Sequence, residues 1–170
     1  RRPSVPLAKP RRVRLVPRKV RPLPDVLEAI ALADLILIGT GSLFTSVIPN
    51  LLVSGVVQAI KKSPAACVYI ANLMTQPGET SGFSLSDHVR AITQHAGDKL
   101  LDAVVANSRP VPEDVVGRYR ASGSEPVQLK LEELERIGVR CIRGDLLEAE
   151  GVVRHNPAKL ARLLVKEFAK

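Results

Sequence analysis

Four short apolar runs constrain this chain more than any other feature: Leu35–Ile38 (LILI), Ala66–Ala71 (ACVYIA), Leu101–Ala106 (LDAVVA) and Val139–Ile142. Each has strand length, and helical periodicity separates it from the next. Strands that alternate with helices point to a mostly parallel sheet wound with crossover helices. LILI is apolar on both alternating faces, the pattern of a strand in the middle of such a sheet. The spacing predicts helices over Pro24–Ala33, from about Thr45 or Ser46 to Lys62, and over 86–96, Pro112–Ala121, Leu131–Ile137 and Asn156–Lys170. Val13–Val16 (VRLV) reads as an edge or first strand. The fold class is therefore α/β. A chain of 170 residues can bury a real core, and with 3% aromatic residues and no Trp that core must be aliphatic.

The net charge of +8 belongs to one end. Residues 1–24 hold nine of the 25 basic side chains and no acidic one, which leaves sixteen basic against seventeen acidic elsewhere. The domain organisation expected is a basic Pro/Arg-rich arm over 1–12, extended or disordered, followed by one α/β domain over 13–170. The arm has no interleaved aromatics to stack bases, so a nucleic-acid partner is not expected. A solvated tail or a contact with a neighbouring subunit or segment is expected instead. No apolar run is long enough to span a bilayer, and no apolar signal segment follows the basic N-terminus. Cys67 and Cys141 sit inside apolar runs and read as reduced core residues of a cytoplasmic protein. The chain contains no CxxC and no HExxH.

In a wound sheet, ligands bind beyond the carboxyl ends of the strands. Two loops dominate that edge, with Asn107–Pro110 as a third. Gly39–Ser46 (GTGSLFTS) offers two glycines for a tight turn, with the hydroxyls of Ser42, Thr45 and Ser46 near a helix start, which suits an anion. It matches neither GxGxxG nor the Walker pattern. The alternative is that Ser46 only caps the helix and the glycines only turn. Asn72–Val89 (NLMTQPGETSGFSLSDHV) is long and polar, as ordered binding loops are. Gln76-Pro77-Gly78-Glu79 has type II turn chemistry, and Asn72, Thr75, Gln76, Glu79 and Thr80 surround it with donors and acceptors. Ser84 followed by Asp87 reads as a capping box, which gives Asp87 a structural role. His88 could be a base, a ligand contact or a plain surface residue, the last being the commoner for a lone histidine with no placed partner; His95 and His155 read as helix-surface and loop residues. No nucleophile–base pair and no metal cluster is evident. Glu79 and Asp87 together are the candidate carboxylates for a divalent ion beside a phosphate.

The runs ADLILIGTGSLFTSVIPNLLVSGVVQAI (33–60) and NLMTQPGETSGFSLSDHVRAI (72–92), with RVRLVPRKVRPLPDVLEAI (12–30) upstream, resemble the gluconeogenesis-factor family of bacteria, the YvcK/CofD-like proteins. That family is related to 2-phospho-L-lactate transferase of deazaflavin-coenzyme synthesis. The resemblance implies a Rossmann-like three-layer α/β/α fold and a nucleotide-sugar ligand of the UDP-N-acetylglucosamine type. It also implies a regulatory role in carbon metabolism, cell-wall precursor supply and cell shape, exercised through a partner protein. Carried onto the matching loops, it implies a ligand site at Gly39, Gly41, Ser42, Thr45, Asn50, Asn72, Thr75, Gln76, Glu79 and Asp87. The alternative it implies is a transferase that moves a phospholactyl group to a deazaflavin, with Glu79 and Asp87 beside Mg2+ as the candidate catalytic carboxylates. Family members usually open with a strand and a GGGTG-type turn, which this chain lacks. The expectation is a C-terminal half whose sheet is completed by an N-terminal segment or by a second copy.

Overall fold

The computed structural model describes residues 12–169; most of the expected 1–12 arm lies outside them. Helix α1 (Pro24–Leu32) leads into strand β1 (Leu35–Ile38). After a tight loop comes a π-helical turn, Leu43–Val47, that continues into α2 (Ile48–Leu51). Then follow α3 (Val56–Lys62), β2 (Ala66–Ile70), α4 (Leu85–Ala96), β3 (Ala103–Asn107), α5 (Glu113–Ala121), α6 (Leu131–Ile137) and β4 (Arg140–Gly144). Two short strands, β5 (Leu147–Glu148) and β6 (Arg154–His155), precede the last helix, α7 (Pro157–Phe168). Pro24 and Pro157 occupy first helical positions, where a missing N–H costs nothing.

Strands β1 to β4 form one parallel sheet in sequence order, with Leu35 opposite Ala66, Val68 opposite Ala103 and Ala103 opposite Arg140. Alternation sends Cys67, Tyr69, Ala71, Val104 and Ala106 to one face, where they pack against Phe44, Ile48, Leu51, Val89, Ile92 and Leu134 from the helical layer. Val68, Ile70, Ala103, Val105 and Ile142 face the other side, under Leu160, Leu163, Leu164 and Phe168 of α7. Helices thus cover both faces of a parallel sheet, the α/β architecture expected. The two thiols are free, and burial pushes that of Cys67 up to about 12.

Three expectations need correction. Leu35–Ile38 is a strand but lies at the edge of the sheet, and Leu37 is 45% exposed. Its apolar character on both faces reports what each face touches and says nothing of which strands flank it. Val13–Val16 pairs with no strand among the described residues; Val13 is held by a side chain instead, its N–H donating to His95 Nε2 at 3.1 Å. The helix expected from Thr45 or Ser46 to Lys62 begins earlier and is broken. Its two parts, Leu43–Leu51 and Val56–Lys62, meet at 71°. Gly55, at φ +93°, supplies the left-handed residue that starts the second part. No single helix among the described residues is long and apolar enough to cross a membrane.

Candidate functional site

The loop after β1 is set by contact with β2. Gly39 has φ +99°, and a Cβ there would lie 2.8 Å from the Ile70 carbonyl oxygen, so only glycine fits. Gly41 packs less tightly, on Ser46, whose Cβ would lie 3.2 Å from an added methyl. Ser42 begins the π-helical turn through its carbonyl, which accepts the N–H groups of Ser46 and Val47 at 2.9 Å each. Its hydroxyl makes no cap and accepts a 2.7 Å hydrogen bond from Gln76 Nε2, tying the two ligand-edge loops together. Ser46 lies inside the turn, so it caps nothing.

The loop after β2 is ordered along nearly its whole length. Gly78 has φ +77° and Glu79 N–H donates to the Gln76 carbonyl at 3.1 Å, as the type II turn requires. The segment is also laced to residues 124–128. Thr75 N–H donates to the Glu125 carbonyl at 2.7 Å, and Val127 N–H to the Leu73 carbonyl at 3.0 Å. The Thr75 hydroxyl accepts from Glu125 N–H at 2.9 Å, and the Ser124 hydroxyl donates to the Thr75 carbonyl at 2.5 Å. At the far end Ser84 and Asp87 form the expected capping box on α4. The Ser84 N–H and hydroxyl donate to Asp87 Oδ2 at 2.9 and 2.7 Å.

Between the loops, beyond the carboxyl ends of β1 and β2, opens a cleft of about 770 Å³. One wall is Thr40–Ser42 and Ser46, and the floor is Asn72–Pro77. The opposite wall is Tyr119, Ser122 and Ser124 at the end of α5, with Val153–His155 leading into and along β6. Its charged lining residue is Arg154, paired through its guanidinium with Glu148, and no lining residue carries a carboxylate. Hydroxyls and amides supply most of the polarity, on a site of the size that holds a small molecule. The Gln76 Oε1 and His155 Nε2 atoms are buried there without a partner among the described residues, a demand for a donor or acceptor from outside. Burial holds the His155 ring below the usual histidine range, against an opposing hydrogen bond to the Ala71 backbone.

Of the residues expected at a ligand site, Gly41, Ser42, Asn72, Thr75 and Gln76 line this cleft. Gly39 and Asn50 line a neighbouring groove of about 410 Å³ beside β1. Asn50 there donates to the Ser46 carbonyl at 2.6 Å. Thr45 is exposed and lines neither. Glu79 and Asp87 also lie outside both, and both carboxylates are already engaged. Glu79 Oε2 is 3.5 Å from Phe44 N, and Asp87 serves the cap and pairs with Arg90 at 3.2 Å. These two carboxylates do not fit a divalent ion at the cleft, and among the described residues no group of three His, Cys, Asp or Glu side chains could hold a metal. Asn107 spends its amide on Arg109 and Leu146, beside a smaller pocket of about 190 Å³ that shares Asn72 and Leu73 with the cleft.

The three histidines depart from expectation. His88 is fully buried, stacked on Tyr69 and edge-on to Phe83. Its Nδ1 donates to the Ser84 carbonyl at 2.8 Å, and burial lowers its pKa. The spacing Leu85, His88, Val89, Ile92 placed it on the apolar face of α4, a signal the capping-box reading passed over. His95 is partly buried, with both ring nitrogens engaged. His155 sits in a wall of the cleft. Sequence reasoning also missed Tyr119 and Arg154. The β5–β6 pairing delivers that wall, and two-residue strands carry no periodicity to read.

Residues 5–147 match the family described as 2-phospho-L-lactate transferase CofD. The chain belongs to this family. It is 42% identical over 156 residues to the gluconeogenesis factor of Bacillus subtilis, covering 91% of this chain and 49% of that protein. It is 43% identical over 166 residues to the gluconeogenesis factor of Halalkalibacterium halodurans, covering 96% and 52%. The crystal structure of a UPF0052-family member from Bacillus halodurans superposes with a TM-score of 0.88 at 44% identity, over 91% of this chain and 49% of that one. The CofD-family chain therefore spans about half the length of these relatives.

Proposed function

We propose that this chain carries part of a nucleotide-sugar site, of the UDP-N-acetylglucosamine type, in a regulatory protein. The observation that supports this reading most is the lining of the cleft, with many hydroxyls and amides, one guanidinium, no carboxylate and no paired nucleophile and base. Such a lining suits sugar hydroxyls and a base edge for recognition and a diphosphate for charge, and offers little for bond breaking. The relatives named gluconeogenesis factor support a link to carbon metabolism. A role in cell-wall precursor supply and cell shape, exercised in the cytoplasm through a regulated enzyme partner, is part of the same proposal and rests on the family resemblance alone. The exposed edge of β1 and the groove beside it support completion of the sheet by an N-terminal segment or a second copy. Thermal unfolding with UDP-N-acetylglucosamine tests the reading. A ligand at 100 times its Kd adds about 2.7 kcal/mol of stability. No stabilisation by any UDP-sugar at millimolar concentration removes it.

The family description favours a second reading, transfer of a phospholactyl group to a deazaflavin. Here the chain's residues would position the donor, while any Mg2+ that neutralises phosphate charge would need ligands other than Glu79 and Asp87, which lie outside the cleft. Magnesium-dependent product formation from a guanylyl-phospholactate donor supports this reading. No product, together with UDP-sugar binding, rejects it.

A further inference from the structure

A second cleft, of about 500 Å³, shares no lining residue with the first and is lined by Arg12, Arg14, Arg18, Leu52, Gln94 and His95, with Val13 between them. Among the described residues its lining includes three exposed arginines and no acidic side chain. Among the described residues none of the three arginines has an ion-pair partner, and residues 1–24 contain no acidic side chain that could supply one. Three like charges around one concavity repel each other, and an anion placed among them relieves that repulsion.

The segment that presents them is held in place. Near its start, Val13 N–H donates to His95 Nε2 at 3.1 Å, and the His95 Nδ1 lies 2.7 Å from the Ala91 carbonyl of the same helix. His95 is in turn packed edge-on against Phe44 in the core. At the other end, Ser54 N–H donates to the Val20 carbonyl at 3.0 Å, in the break between α2 and α3. Arg14 and Arg18 therefore project from a span tethered on both sides, so their backbone positions are set before any ligand arrives.

We propose that this cleft is a second anion site, which takes a small molecule carrying two or more phosphate groups. Guanidinium forks match phosphate oxygens two at a time, which a lysine cluster would not do. The volume suits a small molecule rather than a helix or a strand of nucleic acid. Among the described residues the lining offers no Phe, Tyr or Trp on which a base could stack, so the phosphates are what the site reads. The proposal is independent of the nucleotide-sugar reading.

Isothermal titration of the protein with pyrophosphate, a ligand with neither base nor sugar, tests this. Saturable binding is expected that weakens about tenfold or more in an Arg14→Gln/Arg18→Gln double variant, because hydrogen bonds to charged groups are lost. The same variant keeps its thermal stability and its response to UDP-N-acetylglucosamine. Saturating UDP-N-acetylglucosamine, which fills the first cleft, leaves in place the pyrophosphate binding that depends on Arg14 and Arg18, which separates the two clefts. Absent binding overturns the proposal, as does binding that the double variant leaves unchanged. So does single-stranded RNA that binds the arginines more tightly than pyrophosphate and displaces it.

Discussion

The two loops at the ligand edge of the sheet differ in what they do with their polar groups. Asn72–Ser84 is the longer and more polar, yet much of that polarity is consumed within the fold. Thr75 is spent on Ser124 and Glu125, Thr80 on Gln76 N–H at 2.8 Å, Ser84 on Asp87, and Asp87 on Ser84 and Arg90. Gly39–Ser46 is short and less polar, and is shaped by two glycines whose Cβ positions are filled by neighbours. Among its hydroxyls, Ser42 bonds only across the cleft mouth, to Gln76. Polarity in a loop therefore measures the donors and acceptors that must be satisfied, and folding can satisfy them before a ligand does. Asp87 was legible as a cap from Ser84-Leu-Ser-Asp87 alone, and the structure gives that carboxylate no place in the cleft.

Substitution at glycine separates the loops most sharply. Gly39→Ala is expected to cost about 3 kcal/mol or more, because the methyl meets the Ile70 carbonyl and the backbone is left-handed. Gly78→Ala, in the type II turn at φ +77°, is expected to cost about 1 kcal/mol. Urea titration of both variants checks this. Equal losses would mean that the short loop yields at its base and is not braced by β2.

A smaller effect separates structure from binding. Asp87→Ala removes half of the capping box and should cost about 1 kcal/mol, leaving stabilisation by UDP-N-acetylglucosamine intact. Ser42→Ala should cost no more in stability and weaken the ligand about tenfold, since it removes a cleft hydroxyl and releases the Gln76 amide. Thermal shift of the two variants with and without ligand reads both numbers. A folded Asp87→Ala protein that no longer responds to ligand would reverse the assignment of roles.

How much of this was legible in the sequence follows from the range of the forces involved. The strands at 35–38, 66–70 and 103–107, the type II turn at Gln76–Glu79 and the capping box are local patterns, and the chain states them in consecutive residues. The edge position of β1, the 71° break at Gly55 and the wall formed by Tyr119 and Val153–His155 depend on contacts between distant segments. That wall closes through the Tyr119 hydroxyl, which accepts from Val153 N–H at 2.9 Å across 34 residues. No periodicity encodes such a bond.

The smallest expected difference between the loops is their response to acid. Gly39–Ser46 contains no titratable side chain, whereas the longer loop leads directly into the first turn of α4, which carries Asp87 and His88. Burial favours neutral His88 and holds its pKa below the ordinary 6.5, against the opposing hydrogen bond to Ser84 and the charge of Asp87. Below pH 6.5 the unfolded chain takes up a proton that folded His88 refuses. Its contribution is therefore fully present above 6.5 and declines as pH falls toward the folded value, by at most about 1.4 kcal/mol per pH unit. Burial tends to raise the Asp87 pKa, but its bonds to Ser84 and the charge of Arg90 outweigh this and hold it below the ordinary 3.8. Its contribution is fully present above 3.8 and is lost only in stronger acid. Denaturant titrations at pH 7.5 and 5.5 should show a decline that shrinks in a His88→Gln variant. An unchanged slope in that variant would shift the acid response from α4 to His155, whose pKa burial also lowers, and so from the long loop to the opposite wall of the cleft.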